Sequence, residues 1–340
     1  MVNQSSKATS DQSLGGQNVE ELPQLLILHP GPIFSMHESL FEKKFSLLKA
    51  WESPESIHHF LTTHAQSTRA ILCSSVTPIT AEILSLLPSL CVIACENTGV
   101  ELIDLMECRK RGIYVTNAGP AFSQDVADMA VGLLLAVAMR IPASDRYIRA
   151  RGWSDHQCFP PRTFKLRGKH VGIVGFGNIG SEVAKRLEAF GCKISYNSRK
   201  QKPSIPYEFY PQVIDLAYNC NVLIICCALT DQTRHMINRD VLKSLGENGI
   251  IVNVGRGPII HERELVTSLM SREIAGAGLD VFENEPNVPN ELFELDNVVL
   301  TPHRGAFTEE VFSNAFKLTM ANLEAFFSNK PLITAIKQYD

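Results

Sequence analysis

"HVGIVGFGNIG", running from His170 to Gly180, is the stretch that decides the fold. A short apolar run leads into Gly175, Gly177 and Gly180, and "SEVAKRLEAFG" follows with helical spacing. Strand, glycine turn and helix in that order open a dinucleotide-binding βαβ unit. Gly175 permits the tight turn, Gly177 lets the backbone approach a pyrophosphate, and Gly180 lets the helix pack close to the strand. The N–H groups around Asn178 and Ile179 then face the phosphates, with the helix dipole behind them. A glycine-rich turn with no ligand is the plain alternative, and the next strand, arriving on schedule, weighs against it.

That next strand runs into "KISYNSRK", Lys193 to Lys200, where such a unit ordinarily ends in an acid. An acid there accepts hydrogen bonds from the ribose 2′-OH of NAD and repels a 2′-phosphate. None is present. Ser198 can donate to a phosphate, Arg199 and Lys200 supply charge with Lys202 nearby, and a guanidinium plane can stack on adenine. The position favours NADP(H) over NAD(H); a solvated basic loop is the alternative reading.

Outward from this unit the class is α/β, because short β-rich apolar runs alternate with helical patterns from Leu25 onward. The first half predicts strands at "LLILHP", "AILC", "CVIAC" and "IYVTN", with helices at "HESLFEKKFSLLKAW", "ITAEILSLL" and "ELIDLMECRKRG". "SQDVADMAVGLLLAVAMRI" predicts a long bridging or interface helix, with Ser123 as N-cap and a stop before Pro142. A second series runs through "HVGIVG", "KISY", "VLIICC", "GIIVNV", "AGAGLDV" and "NVVLTP", and a last helix spans roughly residues 308–327. The loop at 151–169 is the obvious boundary, but a bridging helix moves the crossing back towards Asn117.

Composition limits the function classes. A chain of 340 residues suits two domains. With 45% hydrophobic residues, 20% charged and a net charge of -4, nothing electrostatic calls for nucleic acid or an acidic membrane, so small molecules are the natural partners. Nine cysteines without metal-ligand spacing read as free thiols in a reducing, cytoplasmic compartment, and no metal is expected. Residues 1–24 read as a disordered tail without a targeting signal. "KQYD" carries no peroxisomal address. The longest apolar run, Met129 to Met139, is too short to span a bilayer.

Reduction of a ketone needs an acid to protonate the carbonyl oxygen and a cation to orient an acidic substrate. Arg256 stands between two glycines in "VNVGRGPII", Glu285 in "FENEP" and His303 in "TPHRGAF", each just after a strand. Open α/β sheets bind ligands at those strand ends. Singly, Glu285 also suits a turn and His303 a satisfied loop histidine; their joint arrangement is what points to chemistry.

With "NTGVELID", "GIYVTNAGPAFSQDVADMAVGLLLAV", "VGIVGFGNIG", "NVGRGPII", "GAGLDVFENEP" and "TPHRGAF" in order, the chain resembles the D-2-hydroxyacid dehydrogenase family over nearly its whole length. Within it, "AFGCKISYNSRKQKP", "GAGLDVFENEPNVP" and "NLEAFFSNKPLIT" are similar to plant-type hydroxyphenylpyruvate reductases and glyoxylate/hydroxypyruvate reductases. The resemblance implies that Arg256 holds the substrate carboxylate and polarises the keto oxygen. It implies that His303 is the general acid in reduction, and that Glu285 hydrogen-bonds it and favours its protonated form. Asp280 would bond the nicotinamide carboxamide, Val254 and Gly255 would border the cofactor, and the backbone of Thr98, Gly99 and Val100 would take the substrate carboxylate.

The family fold implies two Rossmann-like or flavodoxin-like domains with parallel sheets, the cofactor domain (119–304) inserted into a substrate domain (25–118 and 305–340). The cleft lies between them, and a homodimer through the long-helix region is typical. The leading expectation is an NADPH-dependent reductase of hydroxypyruvate, glyoxylate or hydroxyphenylpyruvate. An NAD-linked D-2-hydroxyacid dehydrogenase and a dinucleotide-sensing binding protein are the alternatives. Relatives often read S-V-G or S-A-G where this chain has Asn97-Thr98-Gly99, and carry smaller residues where it has Arg304 and Phe307. An extra cation there suits a small polar acid or faces solvent, and the ring either narrows the pocket or lines it.

Overall fold

Short runs of two to five residues, mostly apolar and bounded by glycine, proline or polar turns, pair side by side as two fully parallel sheets in a computed structural model that describes residues 21–154 and 163–336. The tail expectation lies almost wholly outside the described residues, as does the middle of the 151–169 loop.

The first series is β1 (Gln24–Ile27), α1 (Pro32–Glu42), β2 (Ser46–Lys49), α2 (Ile57–His64), β3 (Ala70–Cys73), α3 (Ala81–Ser85), β4 (Val92–Cys95), α4 (Leu105–Lys110) and β5 (Tyr114–Thr116). Its strands lie in the order β2-β1-β3-β4-β5. Two helices follow, α5 (Ser123–Ala138) and α6 (Ile141–Arg149). The second series is β6 (His170–Val174), α7 (Asn178–Ala189), β7 (Lys193–Asn197), β8 (Glu208–Phe209), α8 (Val213–Tyr218), β9 (Val222–Ile225), α9 (Arg239–Leu245), β10 (Ile250–Asn253), α10 (Glu262–Met270), β11 (Gly276–Leu279), β12 (Val298–Leu300) and α11 (Glu309–Phe327). Its order is β12-β11-β10-β9-β6-β7-β8, which reverses direction between β6 and β9. Ligands of doubly wound sheets bind at such a reversal.

Helix α5 lies on the second sheet because β11 presents glycines to it. A Cβ at Gly278 would stand 2.9 Å from Leu133 Cβ, and one at Gly276 2.8 Å from Val137 Cγ1. Helix α11 returns to the first sheet, where Met320 and Leu323 share a core with Leu25, Ile27, Phe34 and Phe41.

Four differences from the sequence expectation have physical causes. "HESLFEKKFSLLKAW" is not one helix: α1 starts earlier, at Pro32, and ends at Glu42. The "SLLK" segment pairs with β1 in register from Gln24↔Ser46 to Ile27↔Lys49, so a full parallel ladder overrides helical spacing. Helix α2 and the two-residue edge strand β8 were not expected; Ser56 starts α2 by accepting the His59 N–H at 3.3 Å. Ser123 is the first residue of α5 rather than its cap, and Pro142 opens α6 instead of ending α5. Proline is tolerated in a first turn, where its missing N–H would be unpaired anyway. Finally, Gly119–Ala138 is long and apolar enough to cross a bilayer by length and composition. Packing accounts for it instead: Ala127, Ala130, Leu133, Leu134 and Val137 are buried against the second sheet.

Candidate active site

All strands of the second sheet are parallel, so one edge gathers the residues that follow them. The glycine turn follows β6, the basic loop β7, Arg256 β10, Asp280 and Glu285 β11, and His303 β12.

Gly175 adopts φ +92, and a Cβ there would stand 2.5 Å from the Cys227 backbone; one at Gly255 would stand 2.9 Å from Cys227 O. The ends of β6, β9 and β10 therefore converge on Cys227, with Val254 buried beside them. Gly180 packs against Gly175 O, whereas a Cβ at Gly177 would meet nothing within 4 Å. Gly177 caps α7 without a side-chain hydrogen bond, so the N–H groups at Asn178 and Ile179 face that open space. An open cradle over an uncapped helix of 12 residues fits a pyrophosphate.

The basic loop is tied to this turn. Lys202 Nζ donates to Phe176 O at 2.5 Å, and Lys202 N donates to Tyr196 Oη at 2.9 Å. Ser198 Oγ donates to the Lys200 carbonyl at 2.7 Å. Arg199 and Lys200 are exposed, and neither forms an ion pair among the described residues. Two cations thus flank the cradle with no internal acid to neutralise them.

Arg256 is held by its neighbours. Asn253, 1% exposed, accepts from Gly255 N and donates to Arg256 O, both at 3.0 Å. Gly257 lies directly against the Phe282–Glu283 backbone, which brings the loops after β10 and β11 together. Glu285 there accepts from Phe282 N at 3.0 Å and from His303 Nδ1 at 2.8 Å. Burial raises the Glu285 carboxyl, but the bonds from His303 and Phe282, with the charges of His303 and Arg256, outweigh it and leave the group below its ordinary value. An ionised Glu285 assigns the imidazole proton to Nδ1 and leaves Nε2 to exchange one.

His303 sits at φ +53, in a turn built around Asp280. The Asp280 carboxylate, 2% exposed, accepts from Thr301 Oγ1 at 2.6 Å and from the N–H groups of Arg304 and Gly305 at 2.8 Å each. The Asp280 side chain thus lies within the turn that presents the histidine, on the edge of the sheet where the glycine turn and Arg256 also stand. Arg304 stacks on Phe307, 3.9 Å from the ring centroid, and Phe307 stands edge-on to Phe312. Cation and ring are partners of one another.

From the first sheet, the loop after β4 completes the site. Its carbonyls from Asn97 to Val100 are engaged: Asn97 O by Ala118 N, Thr98 O by Asn117 Nδ2, Gly99 O by Cys95 Sγ, and Val100 O by Ile103 N. Among the described residues no acceptor takes the N–H groups of Thr98, Gly99 or Val100. Gly99 abuts Arg256, and Arg256 Nε stands 3.1 Å from Glu101 Oε1. The loop hangs from Glu96, 1% exposed, whose Oε2 accepts from Phe34 N at 3.0 Å. Burial pushes the Glu96 carboxyl up to about 7 against the pull of the Phe34 and Ile33 N–H groups, and Oε1 has no partner among the described residues.

The structure thus brings Arg256, Glu285 and His303 to one edge, with Gly99 against Arg256. Sequence reasoning missed Asn253, Glu96 and Glu101. Asn253 was open to it, as a polar residue ending an apolar strand.

Residues 131–305 match the family described as D-isomer specific 2-hydroxyacid dehydrogenase, NAD binding domain. A glyoxylate/hydroxypyruvate reductase of Arabidopsis thaliana is 50% identical over 316 residues, covering 93% of this chain and 98% of that one. The hydroxyphenylpyruvate reductase of Plectranthus scutellarioides is 43% identical, covering 90% and 96%. Among solved structures, the NADPH-dependent glyoxylate/hydroxypyruvate reductase of Sinorhizobium meliloti, in complex with NADP and malonate, superposes with a TM-score of 0.84. It is 33% identical and covers 93% of this chain and 97% of that one.

Proposed function

The chain belongs to the D-isomer specific 2-hydroxyacid dehydrogenase family, and from that premise we propose that it reduces a small 2-oxo acid, hydroxypyruvate, glyoxylate or hydroxyphenylpyruvate, to the D-2-hydroxy acid, with NADPH preferred over NADH. The chief support is the pair of His303 Nδ1 and Glu285 at 2.8 Å, with Arg256 close enough for its charge to act on Glu285.

The residue roles follow from that arrangement. The N–H groups of Thr98, Gly99 and Val100, with Arg256, hold the substrate carboxylate and turn the keto oxygen towards His303. His303 Nε2 gives its proton to that oxygen, and Glu285 offsets the charge of the imidazolium. Reduction of the keto carbon also requires a hydride, which is the chemistry a bound reduced nicotinamide supplies. Gly175, Gly177 and Gly180, with the N–H groups of Asn178 and Ile179, hold the pyrophosphate, and Val254 and Gly255 border the same crevice. Ser198, Arg199 and Lys200 receive the 2′-phosphate, a role supported by the exposure of Arg199 and Lys200 and their lack of acidic partners among the described residues.

We infer the same division of the chain as the sequence suggests: 25–118 with 305–340 for substrate and 119–304 for cofactor. The packing of α11 on the first sheet and α5 on the second supports it. A homodimer through the α5–α6 region is supported by exposed Met139, Ile141, Ile148 and Trp153. The eight described cysteines are free thiols, which supports a reducing, cytoplasmic setting.

The test is an absorbance assay at the nicotinamide band, with NADPH and NADH each offered against the three acids. Turnover with NADPH is expected. Activity with NADH alone overturns the cofactor assignment, and tight cofactor binding without turnover of any acid points to a sensor.

A further inference from the structure

Arg256 already has a carboxylate on it. Its Nε lies 3.1 Å from Glu101 Oε1 and its Nη2 3.5 Å from Glu101 Oε2, while Nη1 donates to Gly255 O at 2.7 Å. The fork that would clasp a substrate acid is therefore turned onto the chain's own acid. Glu101 follows directly on Thr98, Gly99 and Val100, and a Cβ at Gly99 would overlap both the Arg256 guanidinium and the Glu101 carboxylate. Backbone donors, cation and internal anion share one small volume. Arg256 is the one cation that Glu101 pairs with among the described residues, and their side chains are 30% and 32% exposed. Ion pairs that solvent reaches to this extent are weak enough for another anion to displace.

We propose that Glu101 is a specificity-determining residue: it occupies Arg256 until a substrate acid displaces it, and then, beside the bound acid, disfavours a second negative charge. This rests on the reading of Arg256 as the carboxylate anchor. Occupancy lowers the apparent affinity for every acid by the fraction of molecules whose fork is free. A monoanion such as glyoxylate simply replaces one carboxylate with another. A dianion adds a charge next to Glu101 with a single guanidinium to offset both.

The experiment compares the full chain with Glu101→Gln and Glu101→Asp, reading KM and kcat for glyoxylate and, by calorimetry in the presence of NADPH, the Kd of unreactive malonate. In Glu101→Gln, KM for glyoxylate should fall about 3- to 10-fold with kcat little changed, and the malonate Kd should fall further, by more than about tenfold. Glu101→Asp keeps the charge and should retain the discrimination against malonate. An unchanged or raised KM in Glu101→Gln would show that the pair supports the site instead of competing for it. A malonate gain no larger than the glyoxylate gain, or Glu101→Asp behaving like Glu101→Gln, equally overturns the proposal. Should the parent turn over no 2-oxo acid, the proposed function fails, and the malonate titrations still read the competition at Arg256.

Discussion

Replacing Glu96 by glutamine should stabilise the protein above neutral pH and change little in acid. The native carboxyl titrates near 7, against an ordinary value of 4.5. Between those two values the folded protein keeps a proton that the unfolded chain has released, so stability falls as pH rises through this window and stays low above it. At about 1.4 kcal/mol for each pH unit, the interval amounts to roughly 3 kcal/mol, of which roughly 2.5 kcal/mol develops between pH 5 and 8. Glutamine keeps an oxygen for the Phe34 N–H and has nothing to ionise. A reporter is built in: the Trp51 ring lies 5.6 Å from the Phe34 ring, whereas Trp153 is 73% exposed. In a Trp153→Phe background, urea unfolding followed by Trp51 fluorescence at pH 5, 6, 7 and 8 gives the stability of each protein. The advantage of Glu96→Gln over its parent should widen by roughly 2.5 kcal/mol across that range. A constant difference would refute the reasoning, since the buried carboxyl would then not titrate in the window.

Three further outcomes are expected. Gly177→Ala should keep its melting temperature and lose NADPH affinity, because a methyl there meets no protein atom yet enters the cradle; Gly175→Ala, at φ +92 and against the Cys227 backbone, should instead lose about 2 kcal/mol or more of stability. Thermal unfolding and cofactor titration of both separate the two effects. Arg199→Ala should raise KM for NADPH about tenfold or more and leave KM for NADH nearly alone; equal effects on both would make the basic loop a solvated surface. His303→Ala should lower kcat by about 10²- to 10⁴-fold, with NADPH binding, measured by fluorescence titration, unchanged.

The parts of the fold legible in the sequence are those whose cause is local. The glycine turn is one, since strand, turn and helix lie within about 20 residues of each other. Arg256, Glu285 and His303 are legible because each follows its strand directly. "SLLK" is not, because its strand character comes from the β1 partner and not from its own spacing. Glu101 shows the same limit at the site. It stands inside a motif quoted for its neighbours, and its ion pair joins positions 155 apart. Asp280 marks a subtler case: its position beside the site was readable, but whether its oxygens face the cleft or the His303 turn depends on three donors from residues 301–305.

The return of α11 has a consequence for how the protein is made. Leu323 completes a core begun by Leu25 and Ile27, yet at about 5–20 residues per second it leaves the ribosome roughly 15–60 s after them. The contiguous β6–β12 unit is complete at Leu300, before α11 is made, while the earlier sheet waits with Leu25, Ile27, Phe34 and Phe41 uncovered on one face. The part of the enzyme translated first is finished last. Nascent chains stalled before α11 should therefore be the aggregation-prone species, and a truncation near the C-terminus should damage the sheet that begins at the N-terminus.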